Sequence, residues 1–255
     1  MISIEGLRGR QANARRMAES LGLSGAVKDL TNDELEVFGR AFERQFIVQY
    51  AERPMMQDLY VRHLDAILLG AMVAKAQMDS NIDGEMPGSG KIGGPIPPRA
   101  GFFGIGDDWD DVGAITTGSE QNWIHSGTTL MGGTAGNPIK IGENAVHVII
   151  AVGSYHPSPK IEAMKFEIDG KERPVIITGW AQRQPGSVHV KELENEFLFK
   201  KNTTVKATVF ASAQHGTTVN DIPYLIGASY IAEAQLRVLD VATLPGTTNA
   251  VVMTT

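Results

Sequence analysis

The chain has no cysteine, no surplus of basic residues and no long apolar run. Without cysteine it cannot form a disulfide, a thiolate nucleophile or a cysteine-ligated zinc site. Its 255 residues carry 23 Lys and Arg against 29 Asp and Glu, a formal charge of −6, which argues against a dedicated nucleic-acid-binding protein. The most apolar helical stretch, residues 66–74, is too short to cross a bilayer, which needs about 20 residues. The N-terminus also lacks the apolar segment of a signal peptide.

The composition that remains is that of an ordered globular protein. Hydrophobic residues make up 42% of the chain and charged residues 20%. A chain of this length can bury a sizeable core. The residue pattern changes twice along the chain, and we divide it into an N-terminal helical region (1–82), a Gly/Pro-rich connector (83–106) and a β region (107–255).

The first region has the periodicity of amphipathic helices. Thr31 and Glu34 have the spacing of a capping box, which predicts a helix start. Pro54 suits the first turn of the following helix. Apolar residues recur at steps of three and four along both helices, and we interpret them as core or helix–helix contacts. They are Leu35, Phe38, Phe42, Phe46 and Tyr50, then Met55, Leu59, Leu64, Leu68 and Met72.

The connector is dominated by glycine and proline. Residues 84–106 contain eight glycines and four prolines, a density that predicts no regular secondary structure. Long segments of this kind usually serve an interface or a binding site. We therefore expect an extended arm here.

The β region shows two predicted hairpins. Residues 160–168 alternate in polarity and end at Asp169-Gly170, which is typical of a tight turn, with a return strand over 175–180. Residues 197–199 and 203–211 are predicted to pair in a second hairpin. A continuous apolar run over 146–152 predicts a buried strand. Residues 228–241 alternate in polarity, which predicts a further strand, although their composition also tolerates a helix. About eight short strands favour an antiparallel sandwich or barrel. We predict a mainly β protein with an N-terminal helical segment and an antiparallel β-sandwich of jelly-roll type.

Three motifs invite a chemical interpretation and fail on spacing. Residues 84–91 resemble a phosphate-binding loop, but Ser89 replaces its second glycine and Ile92 its hydroxyl residue. The aspartates around Trp109 lack the glycine-spaced loop of a calcium site. Three alternating glutamates could act as acid and base, but we prefer a solvent-facing strand edge, which explains them without chemistry. These are Glu192, Glu194 and Glu196.

The histidines show no metal-binding pattern. A cupin-like metalloenzyme would have a His-x-His pair and a downstream glutamate, whereas the six histidines here are scattered. His63 and Asp65 imitate the His-x-Asp of iron oxygenases but fall in a predicted helix. We predict no metal, no cofactor and no enzymatic activity. A cupin-like metalloenzyme remains the alternative, because scattered His and Glu residues can converge on folding.

The N-terminus carries four arginines, Arg8, Arg10, Arg15 and Arg16, opposed within the first sixteen residues only by Glu5. A basic arm of this kind would contact phosphates, either of a genome or of lipid headgroups. An ordinary solvated helix explains the same residues. Both interpretations stay open at this point.

The segment AVHVIIAVGSYHPSPKIEAMKFEIDGKE (145–172), with the closing IAEAQLRVLD (231–240), resembles the C-terminal jelly roll of major capsid proteins from icosahedral, membrane-containing viruses of the corticovirus type. In that family a strand ending in Ile-Asp-Gly lies at a similar distance from the C-terminus as residues 166–170 here. The likeness covers under half of the chain. A double jelly roll would begin with strands, whereas this chain begins with predicted helices.

The resemblance implies a viral structural protein, a self-assembling major capsid subunit located in the virion and assembled in the host cytoplasm. The chain would then bind further copies of itself and other virion proteins. Its N-terminal arginines would also contact a genome or a membrane weakly. Three alternatives remain for the function. The chain could be a phage tail, fibre or decoration protein, a tailed-phage capsid protein, or a carbohydrate-binding module with Trp123 or Trp180 on a ligand face. The apolar helical faces, and apolar connector residues, favour assembly, since neighbouring subunits could cover them. The connector residues are Ile92, Ile96, Phe102, Phe103 and Ile105.

Overall fold

A helical layer, a four-stranded sheet and a six-stranded sheet are stacked in that order. The computed structural model describes residues 2–84, 91–103, 109, 115–126, 136–156, 158–179, 189–219 and 221–232. The prediction of a helical segment followed by an antiparallel β-sandwich is confirmed. In the described part of the chain, no helix is both long enough and apolar enough to span a membrane.

The helical layer contains four α-helices. They are α1 (Ile4–Ser20), α2 (Asn32–Phe42), α3 (Pro54–Arg62) and α4 (Leu64–Met78), with a 3-10 turn at Ser24–Ala26 and a π-helical segment at Glu43–Val48. Two further 3-10 turns, Ala100–Phe103 and Ala213–His215, lie outside this layer, among the strands. The predicted capping box is present: Glu34 N–H donates to Thr31 Oγ1, and Thr31 N–H donates to the Glu34 carboxylate. Pro54 is the first residue of α3, as predicted.

Helix α4 is the centre of this layer. Residues 66–74 are all buried, which fits a helix that is apolar on every side. One side packs on α1 and the other on the four-stranded sheet. Gly70 allows this close approach, since a Cβ there would lie 2.4 Å from Val148 Cγ2 and 2.9 Å from the Tyr230 ring. The Tyr230 hydroxyl donates to the Ile67 carbonyl at 2.6 Å and fixes the same contact.

Twelve strands make up the described sheets. They are β1 (Ile92–Ile96), β2 (Ile115–Thr116), β3 (Glu120–Ile124), β4 (Ile139–Lys140), β5 (Ala145–Ser154), β6 (Ile161–Ile168), β7 (Lys171–Glu172), β8 (Ile176–Ile177), β9 (Val190–Phe199), β10 (Thr204–Ala211), β11 (Thr218–Val219) and β12 (Pro223–Ala232). The four-stranded sheet has the order β1-β12-β5-β9. The second has the order β3-β10-β6-β7, with β4 on β10 and β8 on β6, and β2 pairs with β11.

The pairing of the strands is nested. The first strand pairs with the last (β1 with β12), then β3 with β10, β5 with β9, and β6 with β7 and β8, all antiparallel. Successive pairs alternate between the two sheets. This is the topology of a single jelly roll, in which one long folded-over hairpin wraps into two packed sheets.

The first predicted hairpin is confirmed. Asp169 and Gly170 have φ values of 52° and 72° and connect β6 to β7, as the Asp-Gly turn requires. The return strand is broken into β7 and β8, both paired with β6. On β10 the predicted apolar face (Val205, Ala207, Val209, Ala211) is buried.

The second predicted hairpin is wrong. β9 pairs with β5 and β10 pairs with β6, so residues 200–203 cross from one sheet to the other. Alternating polarity and a turn predict two adjacent strands, but they do not say whether those strands bond to each other or to strands further along the chain.

The prediction that residues 84–106 hold no regular structure is also wrong. Ile92–Ile96 is an edge strand on β12, and Ala100–Phe103 is a 3-10 turn. Glycine is required here rather than disruptive, because a Cβ on Gly94 would lie 2.6 Å from the Ser229 carbonyl. Proline is tolerated because edge strands have backbone donors that need no partner.

The four-stranded sheet separates two hydrophobic cores, so all ten residues of β5 are buried. Val148 and Ile150 face the helices, whereas Ile149 faces the six-stranded sheet. The apolar residues that we expected neighbouring subunits to cover are buried within the chain itself, apart from Met55, which is 50% exposed, the partly buried Tyr50, and Ile105, which lies outside the described residues. These faces therefore give no support for assembly, since the sheet already supplies their partner.

Candidate functional site at the joint of helices and sheet

Strand β9 is distorted where it meets the helical layer. Ile149 pairs with Phe197 and Ala151 with Glu192, so four residues of β9, 193–196, oppose the single residue Ile150 of β5. A bulge of this size redirects side chains away from regular alternation. It brings Glu192 and Glu196 toward the junction of α3 and α4, where His63 lies.

His63 is held between these two carboxylates. Its Nδ1 lies 2.7 Å from Glu196 Oε1, and its Nε2 lies 2.8 Å from Glu192 Oε1. The imidazole is 11% exposed. Ionised carboxylates only accept hydrogen bonds, so both contacts are satisfied when both ring nitrogens carry protons. The hydrogen bond to Glu196 raises the pKa of His63 against the opposing effect of burial, and Glu192 raises it further. In return, His63 lowers the pKa of Glu196.

Arg62 extends the cluster along α3. Its guanidinium donates to Glu192 at 2.7 Å and to Asp58 one turn earlier. Next to these charges is a cleft of about 290 Å³ between α3 and β9. It is lined by four apolar residues, Met55, Met56, Leu59 and Val190, and by three charged residues, Arg62, Lys191 and Glu192.

The geometry of the cluster favours an ionic clasp over a catalytic pair. Both ring nitrogens of His63 are occupied by carboxylates, so neither faces open space from which a substrate proton could be transferred. The two carboxylates bind different nitrogens and do not converge on one point. Across the described ranges, no group of three or more His, Asp and Glu side chains is arranged to hold a metal ion.

Tyrosines form a second distinctive surface, which we call the tyrosine face (Tyr50, Tyr155 and Tyr224). The rings of Tyr155 and Tyr224 stack at 4.0 Å and 15°, and Tyr155 is 58% exposed. Gly153 makes room, since a Cβ there would lie 2.4 Å from the Tyr224 ring. Tyr50 stacks on the buried Tyr60, and beside it residues 48–53 line a hollow of about 490 Å³.

The other histidines are dispersed. His147 is buried in the sandwich, bonds Ser229 Oγ at 2.8 Å, and has its pKa lowered to about 3 by burial. His215 Nε2 contacts Glu162 at 2.9 Å, and His156 Nδ1 lies 3.8 Å from Asp221. His125 and His189 are buried elsewhere. The convergence that a cupin-like site requires is not found among the described histidines.

The four N-terminal arginines do not form a detached arm. They lie on α1, which packs against α4 through Leu7, Ala14 and Ala18. Arg8 donates to Asn32, Arg10 pairs with Asp65 at 3.2 Å, and Arg15 pairs with Asp29. Arg16 is exposed. The four arginines therefore lie on a packed helix, and contact of this helix with phosphates stays a prediction.

Several other predicted sites are absent from this cluster. Trp123 is 1% exposed, so it cannot line a ligand face. Glu194 is exposed and does not contact His63 as Glu192 and Glu196 do. Residues 85–90 of the glycine-rich motif, the four aspartates around Trp109, and Trp180 lie outside the described residues.

Sequence reasoning considered His63 and the glutamates separately and dismissed both. On a straight strand the three glutamates would share one face, and only the bulge selects Glu192 and Glu196. More than 100 residues separate them from His63. The sequence offers no local signal that would join them.

Comparison with known proteins gives little support for a relationship. No protein-family profile matches the chain, and no curated protein sequence does. The chain is similar to the insecticidal δ-endotoxin Cry8Ea1 from Bacillus thuringiensis, with 12% identity and a TM-score of 0.21. The match covers 59% of this chain and 25% of the toxin. At that TM-score the similarity carries no argument about fold or activity.

Proposed function

We propose that the chain is a structural, non-catalytic protein: a self-assembling major capsid subunit that forms the shell of a virion assembled in the host cytoplasm. The observation that carries this proposal is the nested strand pairing, because jelly rolls with this topology are a recurrent architecture of capsid subunits. Its partners are further copies of itself and other virion proteins, with phosphate contacts through α1 as a weaker addition.

The sandwich interior favours this proposal over the cupin-like alternative. A cupin holds its metal inside the barrel, whereas here aromatic side chains pack through the same space. Trp123 and Phe166 lie 6.0 Å apart, Phe166 and Phe197 5.1 Å, and Phe103 and His147 4.6 Å. Dense packing of this kind suits a rigid building block.

The six-stranded sheet supplies an exposed apolar surface for contact between subunits. At its β8 edge Val175 is 53% exposed and Ile177 63%. Ile177 is paired with Ala163, which is paired with Phe210, so an apolar row crosses three strands on the outer face. Apolar edge strands readily associate with other chains, and soluble monomers usually protect them with charges or bulges. β9, at the edge of the other sheet, has both protections.

The size of the purified full-length chain tests the proposal. Light scattering and electron microscopy at neutral pH and moderate salt should show uniform particles of many copies. Ile177→Lys should reduce the particles to small species that keep their β-sheet circular dichroism. Val48→Lys is the matched control, because Val48 is equally exposed at 63% but lies on the helical layer. A folded monomer at high concentration would overturn the proposal.

A carbohydrate-binding module is the second candidate, and the tyrosine face favours it. An exposed ring backed by a second stacked ring offers a rigid apolar platform, and Gln49, Glu52 and Arg53 lie nearby as hydrogen-bonding groups. Titration of the chain with oligosaccharide libraries, followed by tyrosine fluorescence, tests this function. Binding that is abolished by Tyr155→Ala and retained in Val175→Ala would support it, and no binding to any sugar would exclude it.

A further inference from the structure

His63 joins two parts of the molecule that are far apart in the chain. It ends α3 and precedes α4, whereas its partners Glu192 and Glu196 belong to the β9 bulge. Both contacts are short, at 2.7 and 2.8 Å, and each runs from one ring nitrogen to one carboxylate oxygen. Two hydrogen bonds to acceptors require two N–H groups, which only the imidazolium ion has.

We propose that His63, Glu192 and Glu196 form a pH-dependent clasp that is closed when the imidazole carries both protons and opens on the Glu192 side when one proton is lost. In neutral imidazole one ring nitrogen carries a lone pair, which would face a carboxylate oxygen at under 3 Å. That contact is repulsive, so one carboxylate must move away.

The surroundings decide which side opens. Glu192 is 43% exposed and has a second partner in Arg62, so it can leave His63 at small cost. Glu196 is 29% exposed, and its carboxylate bonds His63 and its own backbone amide, with no cation beside it comparable to Arg62 among the described contacts. The neutral ring should therefore keep its proton on Nδ1, toward Glu196. Release of Glu192 changes the wall of the cleft between α3 and β9, which Glu192 lines.

The other charged groups near the His63 ring do not change which of the two carboxylates is released. On α3, Arg62 is paired with Asp58 and Glu192. On α4, Asp65 is paired with Arg10 of α1 at 3.2 Å and accepts from Asn13. On β9, Lys191 precedes the bulge and Glu194 lies within it. The partners Glu196 and Glu192 raise the pKa of His63 above its ordinary value of 6.5, and His63 lowers the pKa of Glu196 below its ordinary 4.5.

The pH range in which the clasp is closed follows from the directions of these two pKa shifts. A raised histidine pKa stabilises the fold below 6.5, and this contribution is lost as pH rises through the raised value. A lowered glutamate pKa stabilises the fold above 4.5, and this contribution is lost as pH falls through the lowered value. The clasp is therefore closed at pH values between the lowered pKa of Glu196 and the raised pKa of His63, and it opens as pH rises through the raised pKa of His63.

Nuclear magnetic resonance of the full chain with labelled histidine tests the clasp by following the titration of His63. His63, assigned by the signal lost in His63→Gln, should titrate above 6.5 and become the Nδ1–H tautomer in base. Glu192→Gln should lower the His63 midpoint. His215→Gln is the matched control, since His215 contacts one carboxylate elsewhere, and it should leave the His63 titration unchanged. A His63 midpoint at or below 6.5, or a neutral Nε2–H tautomer, would overturn the proposal.

Hydrogen exchange supplies an independent measurement. The protection factors of amides 191–194, corrected for intrinsic exchange, should be lower at pH 9 than at pH 6, because the opened clasp no longer holds the β9 bulge against α3. In His63→Gln this pH dependence should disappear, whereas His215→Gln should keep it. Persistence of the change in folded His63→Gln would contradict the clasp.

Discussion

Both faces of the four-stranded sheet bury apolar side chains, but helices cover one face and the six-stranded sheet covers the other. The helical face holds Phe38, Phe42 and Phe46, and its buried carboxylate Glu34 is fully engaged by Thr31, Lys75 and the Ile82 amide. The sandwich face holds Trp123 and Phe166, with His147 kept neutral by burial. The helices thus cover a sheet face that many sandwiches leave to solvent.

This comparison changes where contacts between subunits are expected. The outer face of the four-stranded sheet is already occupied by α4, so it is closed to neighbours. The six-stranded sheet has no such helical cover among the described elements, and it exposes Val175 and Ile177 at one edge. If the chain assembles as we propose, the contacts between subunits should therefore form on the uncovered sheet.

Deletion of residues 1–30 should have the largest effect. It removes α1 and exposes the side of α4 that α1 covers. The loss of this packing should remove most of the free energy of unfolding, which is about 5–15 kcal/mol for a typical protein. Circular dichroism and gel filtration should then show an unfolded or aggregated chain. If residues 1–30 were a detached arm, the deleted chain would keep the melting temperature of the intact chain. We expect an unchanged melting temperature only for the control Arg16→Ala.

Neighbouring isoleucines on β5 compare the two cores directly. Ile149 points into the sandwich and Ile150 into the helical layer, and both are fully buried. Each change to Ala should lower the free energy of unfolding in urea by about 2–5 kcal/mol, because each leaves a cavity. An Ile150→Ala cost below about 1 kcal/mol would mean that the helical core is loosely packed.

Two glycines in helices should respond in opposite directions to alanine. Gly70→Ala places a methyl group against Val148 and should destabilise by about 1–3 kcal/mol despite better helix propensity. Gly9→Ala on the exposed side of α1 meets no atom within 4 Å and should stabilise by about 0.5–1 kcal/mol. Thermal denaturation of both variants measures the contrast, and stabilisation by Gly70→Ala would show that α4 lies further from the sheet.

Acid should weaken the sandwich face through His147. Burial lowers its pKa to about 3, so it stabilises the fold above the ordinary value of 6.5 and loses this contribution as pH falls below that value. The expected loss is about 1.4 kcal/mol in total between pH 7.5 and pH 5.5, measured by urea unfolding at these two pH values. His147→Gln should remove this part of the pH dependence. An identical slope in wild type and variant would disprove the assignment.

Local features were predictable from the sequence. The Thr31–Glu34 capping box, the Pro54 helix start and the Asp169-Gly170 turn each depend on residues within a few positions of one another. The alternation of β10 correctly predicted its buried face. Such signals are readable because their physical causes lie within one turn of the chain.

Long-range features were not predictable. β1 escaped recognition because its glycines serve close approach to Ser229, more than 130 residues away. The partners of β9 and β10 depend on sheet assembly, and the His63 clasp depends on a bulge that no local pattern encodes. The helical faces were correctly identified as needing cover, but the sequence could not reveal that the sheet of the same chain provides it.

Residue-resolved hydrogen exchange of the full-length chain tests most directly whether helices and sandwich form one cooperative unit. Amides of α4 around Gly70 and amides of β5 around Ile149 should exchange with the same opening free energy, since both lie on the shared sheet. Opening of α4 at a free energy lower by about 3 kcal/mol or more, with β5 still protected, would show a dispensable helical layer and contradict this account.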